Sequence, residues 1–185
     1  MQWTAMQDSR TSRARYNRGA RSFHWLIALM IAGMYFTNTM RESYERGSPL
    51  RDWWLVVHAS IGISIFVLTV ARIVWRLSTK VPAPVPGSPM LHLGARLGHL
   101  ALYGFTFCLP LSGFLRLTSS GATIPLYGVI PIPSPTGKND SLHKLAALFH
   151  NDLWMNILLA LIGLHVLAAL LHQFVLKDGT LRRMV

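Results

Sequence analysis

The chain has 185 residues, 51% of them apolar and only 14% charged, with a formal net charge of +11. That charged share is far below the ~25% usual for soluble domains, and one domain is the natural expectation for this length. The basic excess does not indicate nucleic acid, because the cations bracket apolar runs instead of lining a groove.

Residues 1–21 form a basic N-terminal tail carrying Arg10, Arg13, Arg15, Arg18 and Arg21. The tail has no separate apolar core and no small-residue cleavage site, so the first apolar run is expected to stay uncleaved. Four apolar runs follow, at about 22–40, 53–77, 97–117 and 151–176. Each approaches or exceeds the ~20 residues with which a helix crosses ~30 Å of hydrocarbon. None shows the strand-like alternation of an outer-membrane barrel. The expected fold is an all-α membrane protein, a four-transmembrane-helix bundle spanning 22–176, with a short basic tail at 177–185.

Between the second and third runs, residues 81–89 hold four prolines and read as an extended connector. Pro110 falls inside the third run and should kink it. The connection at about 118–140 contains Gly121, Pro125, Gly128, Pro131, Pro133, Pro135 and Gly137, which rules out a continuous helix. Its apolar residues suggest that it folds back as an interfacial cap, with Asp140–Ser141 as the helix N-cap that follows. Trp25, Trp53, Trp54 and Trp75 sit near run ends, where indole rings anchor among headgroups. Cys108 is read as a lone buried thiol without a disulfide role.

Counting all 18 Lys and Arg side chains, twelve fall on the side of the two termini and six on the other. By the positive-inside rule both termini should be cytoplasmic. The six are Arg41, Arg46, Arg51, Arg116, Lys138 and Lys144.

Four histidines lie inside the apolar runs: His24, His58, His150 and His165. An ionisable ring at that depth is costly unless something binds it. With the N-terminus inside, His58 and His150 share the outer depth, and His24 and His165 the inner one. Fifteen positions separate His150 from His165, which is roughly 22 Å and a ~60° rotation on a continuous helix. A porphyrin between two helices takes one axial nitrogen from each, so the interior can hold two stacked haems. Zinc would need clustered ligands, usually with Cys or carboxylates, and the pairs are nearly free of acids. His143 is an alternative outer ligand, but by the same arithmetic it lies ~33 Å from His165, outside the hydrocarbon. His99 and His172 face the cytoplasmic side and could hydrogen-bond quinone carbonyls and exchange protons. Interfacial snorkelling explains them equally well. His92 reads as a solvated loop residue.

Several segments carry a resemblance to the bacterial dihaem cytochrome b family, the prokaryotic cytochrome b-561 group. They are R-S-F-H-W (21–25), H-A-S-I-G-I-S-I (58–65), V-A-R-I-V-W-R-L (70–77), L-G-H-L-A-L-Y (97–103) and G-L-H-V-L-A-A-L-L-H-Q-F-V-L-K-D-G-T-L-R-R-M (163–184). The last, with its closely spaced histidines and Lys-Asp-Gly-Thr-Leu, is the most specific. The resemblance covers nearly the whole chain from about Arg15. It implies two six-coordinate b haems on His24, His58, His150 and His165. It also implies electron transfer between the periplasmic face of a bacterial inner membrane and ubiquinone. A well-understood relative is a superoxide oxidase, whose quinone-side histidines match His99 and His172, the expected catalytic positions. Two departures stand out: Arg96 replaces a second histidine, and the spacing of the fourth-helix ligands leaves open a helix bulge or a role for His143.

On that expectation a superoxide anion is steered by Arg41, Arg46, Arg51, Lys138 and Lys144. An anchor subunit relaying electrons between a partner dehydrogenase or hydrogenase and quinone is the alternative. A non-redox histidine-bearing transporter or metal carrier is the third class.

Overall fold

The computed structural model describes residues 15–185. The tail positions Arg10 and Arg13 lie outside them. Among the described residues there are five α-helices and one small β-hairpin.

The first helix, α1 (Arg18–Glu42), starts inside the stretch expected to be tail, because Asn17 caps it by accepting the backbone N–H of Ala20 at 2.9 Å. Helices α2 (Pro49–Ser78) and α3 (Pro89–Thr118) begin alike. A serine, Ser48 or Ser88, caps each, and a proline occupies the first helical turn, where its missing N–H goes unneeded. α3 continues through Pro110. The helices α2 and α3 are both long and apolar enough to cross a membrane, as is the 140–174 segment.

That last segment departs from expectation. It is two helices, α4 (Asp140–Phe149) and α5 (Asp152–Phe174), and not one run from 151. Asn139, not Asp140 or Ser141, caps α4, its side chain accepting from Leu142 N–H at 3.0 Å. The break falls at His150, whose φ of −121° and ψ of 77° leave the helical region, and Asn151 caps α5 through Leu153 N–H. A continuous-helix spacing between His150 and His165 therefore does not hold.

α1 packs along α2, α2 along α3, and α3 carries α4 and α5. Lipid is the natural solvent for this arrangement: the wholly buried apolar set is small, and leucines and valines are exposed along every helix. The close-packed seams instead use small hydroxyl residues. Ser60, Thr69, Ser112 and Thr118 are buried, and all but Thr69 donate to a carbonyl three or four residues back. Cys108 is exposed on α3, so its expected burial is not observed.

The 118–140 connection does fold back, as a hairpin of β1 (Ile124–Leu126) and β2 (Ile130–Ile132). Tyr127 and Gly128 supply the two positive φ angles of its turn, 51° and 78°. The hairpin docks on α2: Tyr127 N–H donates to Ser60 Oγ at 2.7 Å, and the Tyr127 hydroxyl meets Ser64 Oγ at 2.7 Å. Ile124 of β1 also lines the cavity that holds His58, so the hairpin closes that side of the bundle.

At the opposite end the last residues are tied down. Lys177 and Gly179 both take positive φ, turning the chain into a short 3-10 helix at Leu181–Arg183. Trp25 Nε1 donates to the Met184 carbonyl at 2.8 Å, Arg21 to the Val185 carbonyl at 2.6 Å, and the buried Arg183 to the Ala83 carbonyl at 2.7 Å. The N-terminal part of α1, the 79–88 connector and the C-terminus thus share one end of the bundle.

Ser60→Ala removes the acceptor for a backbone N–H under the hairpin. The expected cost is ~1–3 kcal/mol, read as a lower thermal midpoint in detergent, with Ser78→Ala at an exposed helix end as the unaffected comparison.

Candidate functional site

The break between α4 and α5 aims His150 into the bundle. Its ring lies 6.4 Å, centroid to centroid, from that of His58 on α2. His150 Nδ1 is 3.0 Å from the Leu109 carbonyl, which can only accept, so Nδ1 carries the proton. His58 Nδ1 lies 3.2 Å from Thr37 Oγ1, whose own hydrogen is given to the Met34 carbonyl at 2.9 Å. In both rings Nε2 is left as the free lone pair, the arrangement that orients a metal-binding imidazole. Gly113 makes room: a Cβ there would meet His150 Cε1 at 2.7 Å.

At the terminal end, His24 of α1 and His165 of α5 have ring centroids 6.1 Å apart. His99 of α3 joins them, 5.6 Å from His165. The Nδ1 of His24 is buried with no hydrogen-bond partner among the described residues. Arg72 lies within α2. Its guanidinium stacks 5.1 Å over the Tyr103 ring, and its charge reaches His24, His99 and His165.

The paired rings suit one cofactor class. Two iron–nitrogen bonds of ~2 Å on opposite faces of a porphyrin put imidazole centroids roughly 6 Å apart. Both pairs have that separation. No group of three or more metal-capable side chains occurs among the described residues, and a bare zinc ion would want four ligands. Two nitrogens suffice only if the other equatorial ligands come with the metal, as they do in haem.

A cavity of about 320 Å³ surrounds His58, His150 and Gly113. Above it a wider basin of about 620 Å³ is lined by Arg41, Arg46, Arg51 and Arg116 with Glu42, Asn151 and Asp152. Arg116 Nη1 donates to the His150 carbonyl at 2.9 Å, so one arginine both lines the basin and holds the helix break. Lys138 and Lys144, expected with the steering charges, do not line the basin. For Glu42, burial works to raise the carboxyl, but Arg41 and Arg51 outweigh it and hold it below its ordinary value. The basin keeps a cationic excess.

The remaining predicted positions separate cleanly. His143 hydrogen-bonds the Arg116 carbonyl at 2.8 Å and stands at the rim of the outer cavity. His92 lies in the first turn of α3, beside Gly87, not in a loop. His172, near the end of α5, pairs through Nδ1 with Asp178. Burial works to raise the Asp178 carboxyl, yet hydrogen bonds from Thr180 and His172 hold it lower than usual. Sequence reasoning missed Arg72, Gly113 and the His172–Asp178 pair. Only Asp178 carried a signal, the Lys-Asp-Gly-Thr run, which is the turn that returns it to His172.

Comparison with known proteins gives the family. Residues 15–185 match the family described as prokaryotic cytochrome b561. The chain is 35% identical over 179 residues to "Cytochrome b561 homolog 2" of Escherichia coli (strain K12), covering 92% of this chain and 91% of that protein. It is 36% identical over 163 residues to "Probable superoxide oxidase CybB" of Yersinia pestis, covering 88% and 90%. It is also 30% identical over 181 residues to "Cytochrome b562" of Cereibacter sphaeroides, covering 95% and 98%.

Gly113→Ala should displace the His150 ring and cost one equivalent of b haem, or leave it with an altered low-spin signal. Gly104→Ala, which meets nothing within 4 Å, should retain full occupancy. Pyridine haemochrome quantitation and electron paramagnetic resonance of both variants check this.

Proposed function

The chain belongs to the prokaryotic cytochrome b561 family, helical membrane proteins that transfer electrons through b-type haem, and from that premise we propose that it oxidises periplasmic superoxide and reduces ubiquinone. The observation that carries this reading is the His58–His150 pair lying directly beneath a basin of four arginines. A basin of that kind suits a small anionic donor arriving by diffusion.

In this reading four helical spans cross a bacterial inner membrane, α1 being the fourth beside the three long apolar segments. The two termini are cytoplasmic, on the side holding twelve of the 18 cations. His58 with His150 would hold an outer haem, and His24 with His165 an inner one. Bound haem supplies the one-electron chemistry. Two superoxide anions each lose one electron to become dioxygen. One quinone gains those two electrons and two protons to become a quinol.

The protein's own residues do the rest. Arg41, Arg46, Arg51 and Arg116 concentrate the anion at the outer end. Arg51 is spent partly on structure, donating to the Arg41 and Tyr44 carbonyls at 3.1 and 2.8 Å. His99 and His172, at the cytoplasmic end, bind the quinone oxygens and hold the protons they take up. Asp178 fixes His172: an ionised carboxylate at Nδ1 keeps the proton there and presents Nε2 inward.

Pulses of superoxide given to the purified protein without any partner should reduce its haem bands, and superoxide dismutase should abolish the reduction. Haem that stays oxidised under those pulses would reject superoxide as donor. Arg46→Glu should slow the reaction by roughly 3–10-fold at low ionic strength, with the difference vanishing near 1 M salt where screening acts over ~3 Å.

Asp178→Asn should slow quinone reduction by roughly 10-fold while haem content and the superoxide step stay unchanged. Stopped-flow traces with and without a short-chain ubiquinone separate the two steps.

A further inference from the structure

Arg72 is an arginine inside a membrane-crossing helix with no protein anion to meet it. Among the described residues no oxygen accepts a hydrogen bond from its guanidinium, and its sole close partner is the face of Tyr103, 5.1 Å away. The acids of the chain are few and badly placed to help. Glu42, Glu45, Asp52, Asp140 and Asp152 all belong to the end carrying the hairpin, Asp178 is committed to His172 and Thr180, and Asp8 lies outside the described residues. Yet Arg72 is six residues from the end of α2, and its charge reaches His24, His99 and His165 together. A half-buried cation within such a helix is retained when a partner completes it.

We propose that Arg72, braced on Tyr103, is the ion-pair partner of a propionate carboxylate on the inner haem, and so sets that haem's affinity and potential. The inference rests on the assignment of His24 and His165 as the inner ligands. A porphyrin carries its own two carboxylates, the one source of negative charge that the chain itself lacks at this depth. The guanidinium fork matches a carboxylate in two parallel hydrogen bonds. Tyr103 holds the cation from the α3 side by its ring face, leaving the N–H edges free for that contact.

The test is a spectroelectrochemical titration of Arg72→Gln beside wild type, His24→Ala and Arg96→Gln. His24→Ala identifies the inner component, and Arg96→Gln controls for loss of one exposed cation. Removing a positive charge beside the haem favours its oxidised form. Arg72→Gln should therefore shift the inner component to lower potential by about 59 mV, a tenfold change for a one-electron couple, or lose that haem. The outer component should not move, and Arg96→Gln should match wild type.

Unchanged potentials and full haem content in Arg72→Gln would overturn the proposal. So would unchanged potentials with a raised KM for quinone, which would make the arginine a quinone ligand. If Arg72→Gln does not fold, Arg72→Lys is read instead by the haem propionate bending mode in resonance Raman. A shifted mode supports the ion pair, and a wild-type mode overturns it. Failure of the underlying ligand assignment looks different, because His24→Ala and His165→Ala would then each keep both haem components.

Discussion

The constraint on which this bundle turns is a spacing of about six ångströms between imidazoles on helices that have little else to say to each other. α1 and α5 meet through His24 and His165, and α2 reaches the α4–α5 junction through His58 and His150. Elsewhere the helices close by small hydroxyl side chains, which let backbones approach. Where the histidines face one another that closeness is given up, and Gly113 widens the space further. In lipid such a gap has no hydrophobic force to hold it open or shut. A flat, apolar group with a metal at its centre satisfies both rings at once and fills the void between them, which ties the packing to the proposed chemistry.

Much of this was legible from residue types and depth alone. Apolar run length fixed three of the crossings. The inward histidines sorted by depth into the same two pairs whose rings the structure brings together. What escaped was local geometry. The 140–174 segment is interrupted by the short polar step His150-Asn151-Asp152, which started the fourth run at 151 but did not say that a separate helix precedes it. The break comes from Asn151 recapturing Leu153 N–H and from Arg116 binding the His150 carbonyl, a contact across 34 positions that no periodicity reveals. The hairpin was expected only as a vague cap. Its docking depends on Ser60 and Ser64, two ordinary serines in an apolar helix, whose role is set by a tyrosine some sixty residues away.

Charge was the least legible property, because sequence assigns an arginine to a side and not to a partner. Arg72 was legible as a cation of the second apolar run, but sequence did not show that its place within α2 brings it among the inner histidines. The outer four were legible as a group, but their membership changed: Arg116 replaced the two lysines once the α3 end and the α1–α2 turn were brought together.

The two ends of the bundle use arginine in different ways, and the difference follows from what each must bind. At the outer end three of the four guanidinium groups are already engaged: Arg41 and Arg51 on Glu42, Arg51 also on backbone carbonyls, and Arg116 on the His150 carbonyl. An arginine so anchored still projects its field into the open basin, but offers little to a tightly bound anion. That suits a donor that must arrive quickly and leave as a neutral molecule, since a strong pair would trap it. At the inner end Arg72 has no oxygen partner among the described residues. A cation within a membrane-crossing helix carries a penalty, about 2.5–3.5 kcal/mol at the helix centre on insertion scales and less toward the ends. That penalty is tolerable if the partner is resident, arriving with the cofactor and staying with it. A transient anion suits arginines mostly engaged by the chain around an open basin, and a permanent one suits an arginine left without an oxygen partner.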